Sequence, residues 1–417
     1  MQTNKKNIAE EGWVLMLFTS ALYLFFIADG ITKLLMIKNI EFSRVSILIR
    51  SVYQVLFFFT IGYFIDTRRR AFLIFLLLVI LCWAAGVYSF AFYQKTDYPF
   101  FQNIIILNKY LYAFVVFYTG YKLINNPAAL NKVLKVLELI FLINSTCCIL
   151  GVLTRAPIFE AFPGQSYRFG YNGLIFANNE AVVFYFLAVC YFYYKCFLLG
   201  NSSRRDKWCF YIVATGSLFL GSKGYYFFLL SLAFYHVFFV ARGLAKVIFF
   251  VMLSIALTGI VIFFLSEQGQ AALSFMISMM ERDGVWSMLL SSRDVLAAIK
   301  IPIILENWTF WNVLFGGQNQ FLYLLEMDVL DLFFFFGIVG CILMMILYFN
   351  TIFNFKAYPF FIFYISIYFI LSALGGHILY SALNALYLCL VSFYFIQTSN
   401  KVKNGGDKEI GTSKQLK

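Results

Sequence analysis

Charge is what this sequence has least of. Only 12% of its 417 residues are charged while 62% are hydrophobic, a balance that would leave a water-soluble globule of this length with large exposed apolar patches. A soluble domain is excluded, and lipid is the solvent. Histidine is nearly absent: His236 and His377 stand far apart in different segments, which argues against a His-built metal site. The eight cysteines fall in apolar segments or at their ends with no CxxC spacing, so neither a disulfide framework nor a thiolate metal site is expected. The apolar run from Trp13 lacks a small-residue cleavage site and is read as a retained first helix. No internal repeat is visible.

What is present is a series of apolar runs of about 20 residues. Lipid offers no partner to backbone N–H and C=O groups, so each crossing segment must satisfy its own, and runs of this length without alternation do so as helices rather than as a barrel. The expected fold is all-α, a polytopic integral membrane protein of about 12 spans. They lie near 13–36, 47–65, 71–93, 104–124, 133–153, 174–198, 209–221, 225–240, 247–265, 329–349, 357–374 and 378–396. The pair 209–221 and 225–240 is short for the hydrocarbon core.

The charge that does occur is basic, 32 Lys and Arg against 20 Asp and Glu. With both termini cytoplasmic, 20 of the 32 basic residues fall in cytoplasmic segments, as the positive-inside rule requires, so the excess implies no nucleic-acid partner. Residues 1–265 then form helices 1–9, 266–327 a large periplasmic loop, 328–396 helices 10–12 and 397–417 a polar cytoplasmic tail, expected to be disordered. Within the loop, Gln268 to Met280 and Arg293 to Leu305 have helical apolar spacing suited to the membrane interface.

Four outer segments bring polar groups to the lipid boundary. Tyr167 to Asn172, with Arg168, leads to Asn178, Asn179 and Glu180 at the mouth of the sixth helix. A tight turn, Gly221 to Gly224, carries Lys223. Ser291 to Asp294 opens an amphipathic helix at Arg293, with Ser292 as the expected cap, and that stretch runs on to Gly316 and Gly317. Glu326, Asp328 and Asp331 crowd the start of the tenth span, more acid than a helix N-terminus calls for. Each has an ordinary reading as a solvated loop charge, a cap or a dipole partner.

Their order is more specific. Arg168-Phe169-Gly170 with Asn178-Asn179, Ser222-Lys223-Gly224, Ser292-Arg293 leading to Gly316-Gly317, and Glu326 through Gly337 to Gly340 resemble the motif series of the bacterial O-antigen polymerase (Wzy-type) and O-antigen ligase superfamily. Lys223 stands where that family more often has Arg, and Glu326 where its ligases usually have His. The resemblance, over about residues 165–345, implies a membrane glycosyltransferase of lipopolysaccharide or related polysaccharide biosynthesis in the bacterial inner membrane. It implies an undecaprenyl-diphosphate-linked oligosaccharide as substrate, a chain-length regulator protein as partner, and neither cofactor nor metal. On that reading Arg168, Lys223 and Arg293 hold the diphosphate. Glu326 or Asp328 takes the proton of the attacking sugar hydroxyl. Two other readings stand beside it: a ligase to lipid A core, and a flippase for lipid-linked oligosaccharide, whose buried charges would lie near mid-membrane. Trp286, Trp308 and Trp311 are candidates for stacking on sugar or anchoring at the interface.

Overall fold

The computed structural model describes residues 2–40, 44–63, 70–94, 99–163, 169–200, 202–243, 246–247, 258, 261, 265, 267–355 and 358–405. Every regular element of three or more residues among them is a helix. In chain order these are α1 Gln2–Ile37, α2 Val45–Tyr63, α3 Arg70–Gln94, α4 Phe100–Asn125, α5 Pro127–Thr154, α6 Asn178–Tyr193, α7 Arg204–Leu218 and α8 Lys223–Tyr235. Then come α9 Glu267–Asp283, α10 Val285–Leu290, α11 Arg293–Glu306, α12 Phe310–Phe315, α13 Asp328–Asn350, α14 Pro359–Leu374 and α15 Ala382–Gly405. Both α6 and α8 end in a wider π turn, at Leu198 and Val240.

Nine of the described helices are long and apolar enough to cross a membrane, which makes this a polytopic membrane protein. Two of the twelve expected spans correspond to shorter helices. The span expected at 209–221 belongs to α7, 15 residues that begin with Arg204, Arg205, Asp206 and Lys207, and the one at 357–374 to α14, 16 residues. The span expected at 247–265 lies almost wholly outside the described residues. At the C-terminus the helix overruns the boundary set at 396: α15 continues to Gly405, so the tail expected to be disordered from 397 begins as helix, and 406–417 lie outside the described residues.

Local sequence explains the ends. Asn126 caps α5 by accepting from Ala129 N at 3.0 Å with Pro127 at the first position, and Ser203 and Asp206 close a reciprocal capping box on α7. Along α1 to α8, and again along α13 to α15, neighbours in sequence run in opposite directions, as Trp13–Thr60 with Asp29–Arg50 shows for α1 and α2, and Glu138–Tyr191 with Asn144–Tyr185 for α5 and α6. One end of the bundle therefore collects the finishes of α1, α5, α7 and α14 with the starts of α2, α4, α6, α8, α13 and α15; we call it the site end. The opposite end is tied by Lys122 to Glu10, and by Lys195 to Glu138 and Asp206 at 2.8 and 2.7 Å.

Between the two ends the packing is aromatic: Phe18 on Phe57, Phe57 on Tyr112, Phe117 on Phe393 and Phe184 on Tyr387, with centroids 5.2 to 5.9 Å apart. In lipid there is no hydrophobic gradient between helices, so close fit supplies the cohesion. Each such pair adds about 0.5–1.5 kcal/mol.

One helix is broken. Gly337 interrupts α13 with φ 67° and ψ −175°, and the chain after α12 fills the gap. There Gly317 N and Gln318 N donate to the carbonyls of Phe335 and Phe334 at 3.1 and 3.2 Å. Side chains would not fit: a Cβ on Gly317 would lie 2.2 Å from the backbone of Gly86 in α3, and one on Gly337 would lie 2.4 Å from Leu314.

Candidate functional site

The site is built on the short stretch between α14 and α15 and on the residues just before α13. Glu326 precedes α13 with φ 59°, in the left-handed region that costs a non-glycine residue energy. His377, between α14 and α15, has φ 67°, and Ser291 and Ser292, just before α11, have φ 56° and 63°. Four of the six described non-glycine residues with positive φ thus flank one place, and strain of about 1–3 kcal/mol each persists only where surroundings enforce it. Ser292 stands at the cap position of α11 but its hydroxyl makes no capping bond, because the left-handed backbone turns it away.

At the centre of this strained region stands Arg293. Its Nη1 donates to the Leu374 carbonyl at 2.7 Å, and its Nε lies 3.7 Å from Glu326 Oε2, an ion pair too long for a hydrogen bond. The Glu326 side chain is 47% exposed, so this pair contributes only about 0–1 kcal/mol and is readily exchanged for another partner. Lys223, at the start of α8, donates to the Met288 carbonyl in α10. The next residue, Gly224, faces Leu371, one turn before Leu374. Two of the three expected cations therefore flank the finish of α14. The third, Arg168, lies outside the described residues, as does Tyr167. Its neighbour Phe169 lies against Gly221, two residues before Lys223.

Asp328 has another task. It is 0% exposed and accepts the backbone N–H groups of His377, Ile378 and Leu379 at 2.8, 2.6 and 2.7 Å. With both oxygens committed it holds the α14–α15 connection in place and is not placed to take a proton from a substrate. Asp331 does the same for Leu325 N and Met327 N at 2.8 and 3.3 Å. The acids that looked too many for a helix start are thus divided: two are structural, and Glu326 alone is open.

His377 joins this group to a second one. Its Nδ1 is 2.6 Å from the Tyr380 hydroxyl, and the charges of Glu326, Arg293, Glu180 and Lys109 all act on it. Burial lowers its pKa below the ordinary histidine value, and burial likewise raises that of Tyr380. The second group was not foreseen from the sequence. Arg50 of α2 grips Glu180 with both nitrogens at 2.9 and 3.1 Å and Asp29 of α1 at 2.6 Å, and Ser381 donates to Glu180 at 2.5 Å. Lys33 donates to Asn172 and to the Gly173 carbonyl. The signal was available: Asp29, Lys33, Arg50 and Lys109 are single charges inside apolar runs, where an ionisable group is a functional candidate by default.

Of the tryptophans, Trp286 and Trp311 are 71% and 52% exposed, whereas Trp308 packs on Phe333 and Phe334. Among the described residues no group of three or more His, Cys, Asp and Glu side chains is placed to hold a metal ion. Compared with family models, with curated proteins and with solved structures, the chain matches none.

Proposed function

We propose that this chain is a polysaccharide polymerase of O-antigen type. It would transfer a glycan from a polyprenyl diphosphate to a hydroxyl of a second lipid-linked repeat unit on the periplasmic face of a bacterial inner membrane. The observation that carries the reading is the Arg293–Glu326 pair, whose glutamate is half-exposed, brought together from the approaches to α11 and α13 and flanked by strained backbone at one end of a membrane bundle. In this reaction Glu326 receives the proton of the attacking hydroxyl as the new glycosidic C–O bond forms. The old bond from sugar to diphosphate oxygen breaks, and Arg293, Lys223 and Arg168 stabilise the charge left on the diphosphate. The weak pairing of Arg293 with Glu326 suits both roles, since each partner is released at small cost when substrate arrives.

The same reading has twelve crossings, a periplasmic segment 266–327 that carries α9 to α12 as a cover over the site, and a chain-length regulator as partner. A ligase transferring finished glycan onto lipid A core would use the same groups. Deletion separates the two: loss of a polymerase leaves single repeats on the core, and loss of a ligase leaves none. A transporter reading would draw on the buried charges Asp29, Arg50 and Glu180, but these join the site end, and the level below them is the aromatic packing.

The test is glycan length in a deletion strain complemented with Arg293→Ala or Glu326→Ala. Loss of one positioned charge lowers turnover by about 10²–10³, so both variants are expected to yield single repeats at wild-type membrane levels. Full-length polymer from both would overturn the proposal.

A further inference from the structure

The inner cluster holds three basic groups, Lys33, Arg50 and Lys109, and two acidic ones, Asp29 and Glu180, and the charge of Glu160 reaches Lys33 from outside it. Arg50 is committed to its two carboxylates and Lys33 to Asn172 and Gly173. Lys109 is different. It makes no hydrogen bond or ion pair with any described residue, it is exposed, and Glu180 and Arg50 are the charges that act on it. Its own charge reaches His377, beside Arg293 and Glu326.

Its depth is what decides its ligand. Lys109 stands nine residues into α4, about 13 Å along the helix. Above it Phe100, Phe101, Ile104 and Ile105 are exposed at 46%, 82%, 37% and 56%, an apolar approach that a free anion in water would not take. A lysine at the centre of a membrane helix carries an insertion cost of about 2.5–3.5 kcal/mol, and Glu180, the acid that acts on Lys109, is already held by Arg50 and Ser381. The level is firmly set: Gln54 of α2 donates to the Asn108 carbonyl at 3.3 Å, and Tyr110 contacts the Tyr380 ring at 5.2 Å. Farther down, Cys389 Sγ donates to the Ala113 carbonyl, so the start of α15 runs beside α4 at the height of Lys109.

We infer that Lys109 forms a lateral subsite for the phosphate group of a membrane lipid, entered from the hydrocarbon side along α2 and α4. The inference deepens the reading above and rests on it for the prenyl nature of the lipid. The ligand chemistry is a phosphate monoester or diphosphate carrying an apolar chain, whose chain lies on the exposed faces of Leu48, Val52 and Val55. Lys109 then acts as the cation that receives the lipid before its head group reaches Arg293.

The experiment is native mass spectrometry of the purified full chain in detergent with added polyprenyl phosphate, diacyl phosphatidic acid, phosphatidylcholine or inorganic diphosphate. The wild-type protein is expected to retain polyprenyl phosphate and phosphatidic acid over phosphatidylcholine, and inorganic diphosphate is not expected to displace them. Lys109→Met, which keeps the apolar stem, is expected to lose retention by about tenfold or more, as for one charge-assisted contact, and Lys109→Arg to restore it. Equal retention by wild type and Lys109→Met overturns the inference. Displacement by inorganic diphosphate overturns its lipid assignment. Lipid loss in Lys109→Met alongside unchanged glycan in the deletion strain would keep this subsite and remove the polymerase reading, so the two fail separately.

Discussion

His377 is the residue through which the two charged groups communicate, and its environment has a measurable sign. Burial lowers its pKa from the ordinary 6.5, so the folded chain binds the imidazole proton more weakly than the unfolded chain does. The associated stability is complete above about pH 6.5 and is lost as pH falls through the depressed pKa of the folded state. Compared with a variant that lacks this imidazole, thermal unfolding in detergent should therefore show a midpoint that falls more between pH 7 and 5. His377→Asn, which tolerates the left-handed backbone at this position, should flatten that slope; an unchanged slope would exclude His377 as its source. Gly376 offers a second handle, because a Cβ there would lie 2.8 Å from Glu326 Cα. Gly376→Ala should cost about 1–3 kcal/mol of stability as the Glu326 backbone is pushed aside, and glycan length should fall with it. At this scale Arg293 and Glu326 could be singled out in the sequence because they stand in a polar segment between apolar runs. Asp29 and Arg50 each stand alone in an apolar run, which marks them as candidates in the sequence, but that they pair with each other and with Glu180 emerges only through folding. Asp328 looked like Glu326 in sequence, and only the three amides converging on it tell them apart.

The helices themselves were largely legible, since runs of about 20 apolar residues admit little else in lipid. The break in α13 was not. Gly337 was noted as part of a motif, but that its dihedrals abandon the helix follows from the chain after α12 lying against it, a contact between distant segments. Gly337→Ala combines a backbone state open almost only to glycine, worth about 1–3 kcal/mol, with a contact of 2.4 Å to Leu314. Its membrane yield and melting temperature should fall sharply. Gly62→Ala in α2, where a Cβ meets nothing within 4 Å, should be neutral in the same assay. The shortness of the span expected at 209–221 was legible, but that α7 begins five residues earlier, on the charged turn Arg204–Lys207, was not.

For the molecule as a whole, the division into two polar ends with aromatic packing between them was only half visible: alternation of spans predicts which loops share a face, but not which side chains meet there. The Asp29–Arg50–Glu180 cluster ties α1, α2 and α6 together, and Ser381 adds the start of α15. Arg50→Ala leaves two acids facing each other without the guanidinium that bridges them, and a loss of about 3–5 kcal/mol is expected, read as a lower melting temperature and reduced yield. Trp286, 71% exposed in α10, tests the proposed orientation: a membrane-impermeant maleimide should label Trp286→Cys in intact cells above the wild-type background. Labelling only after lysis would place the site end in the cytoplasm. The glycine wedge has a consequence for how the chain is made. Gly86 leaves the ribosome more than two hundred residues ahead of Gly317, roughly 10 s or more at bacterial or slower synthesis rates. For that interval the groove on α3 has no occupant of its own, and a nascent chain stalled before Phe310 would present it to whatever insertase or protease is waiting.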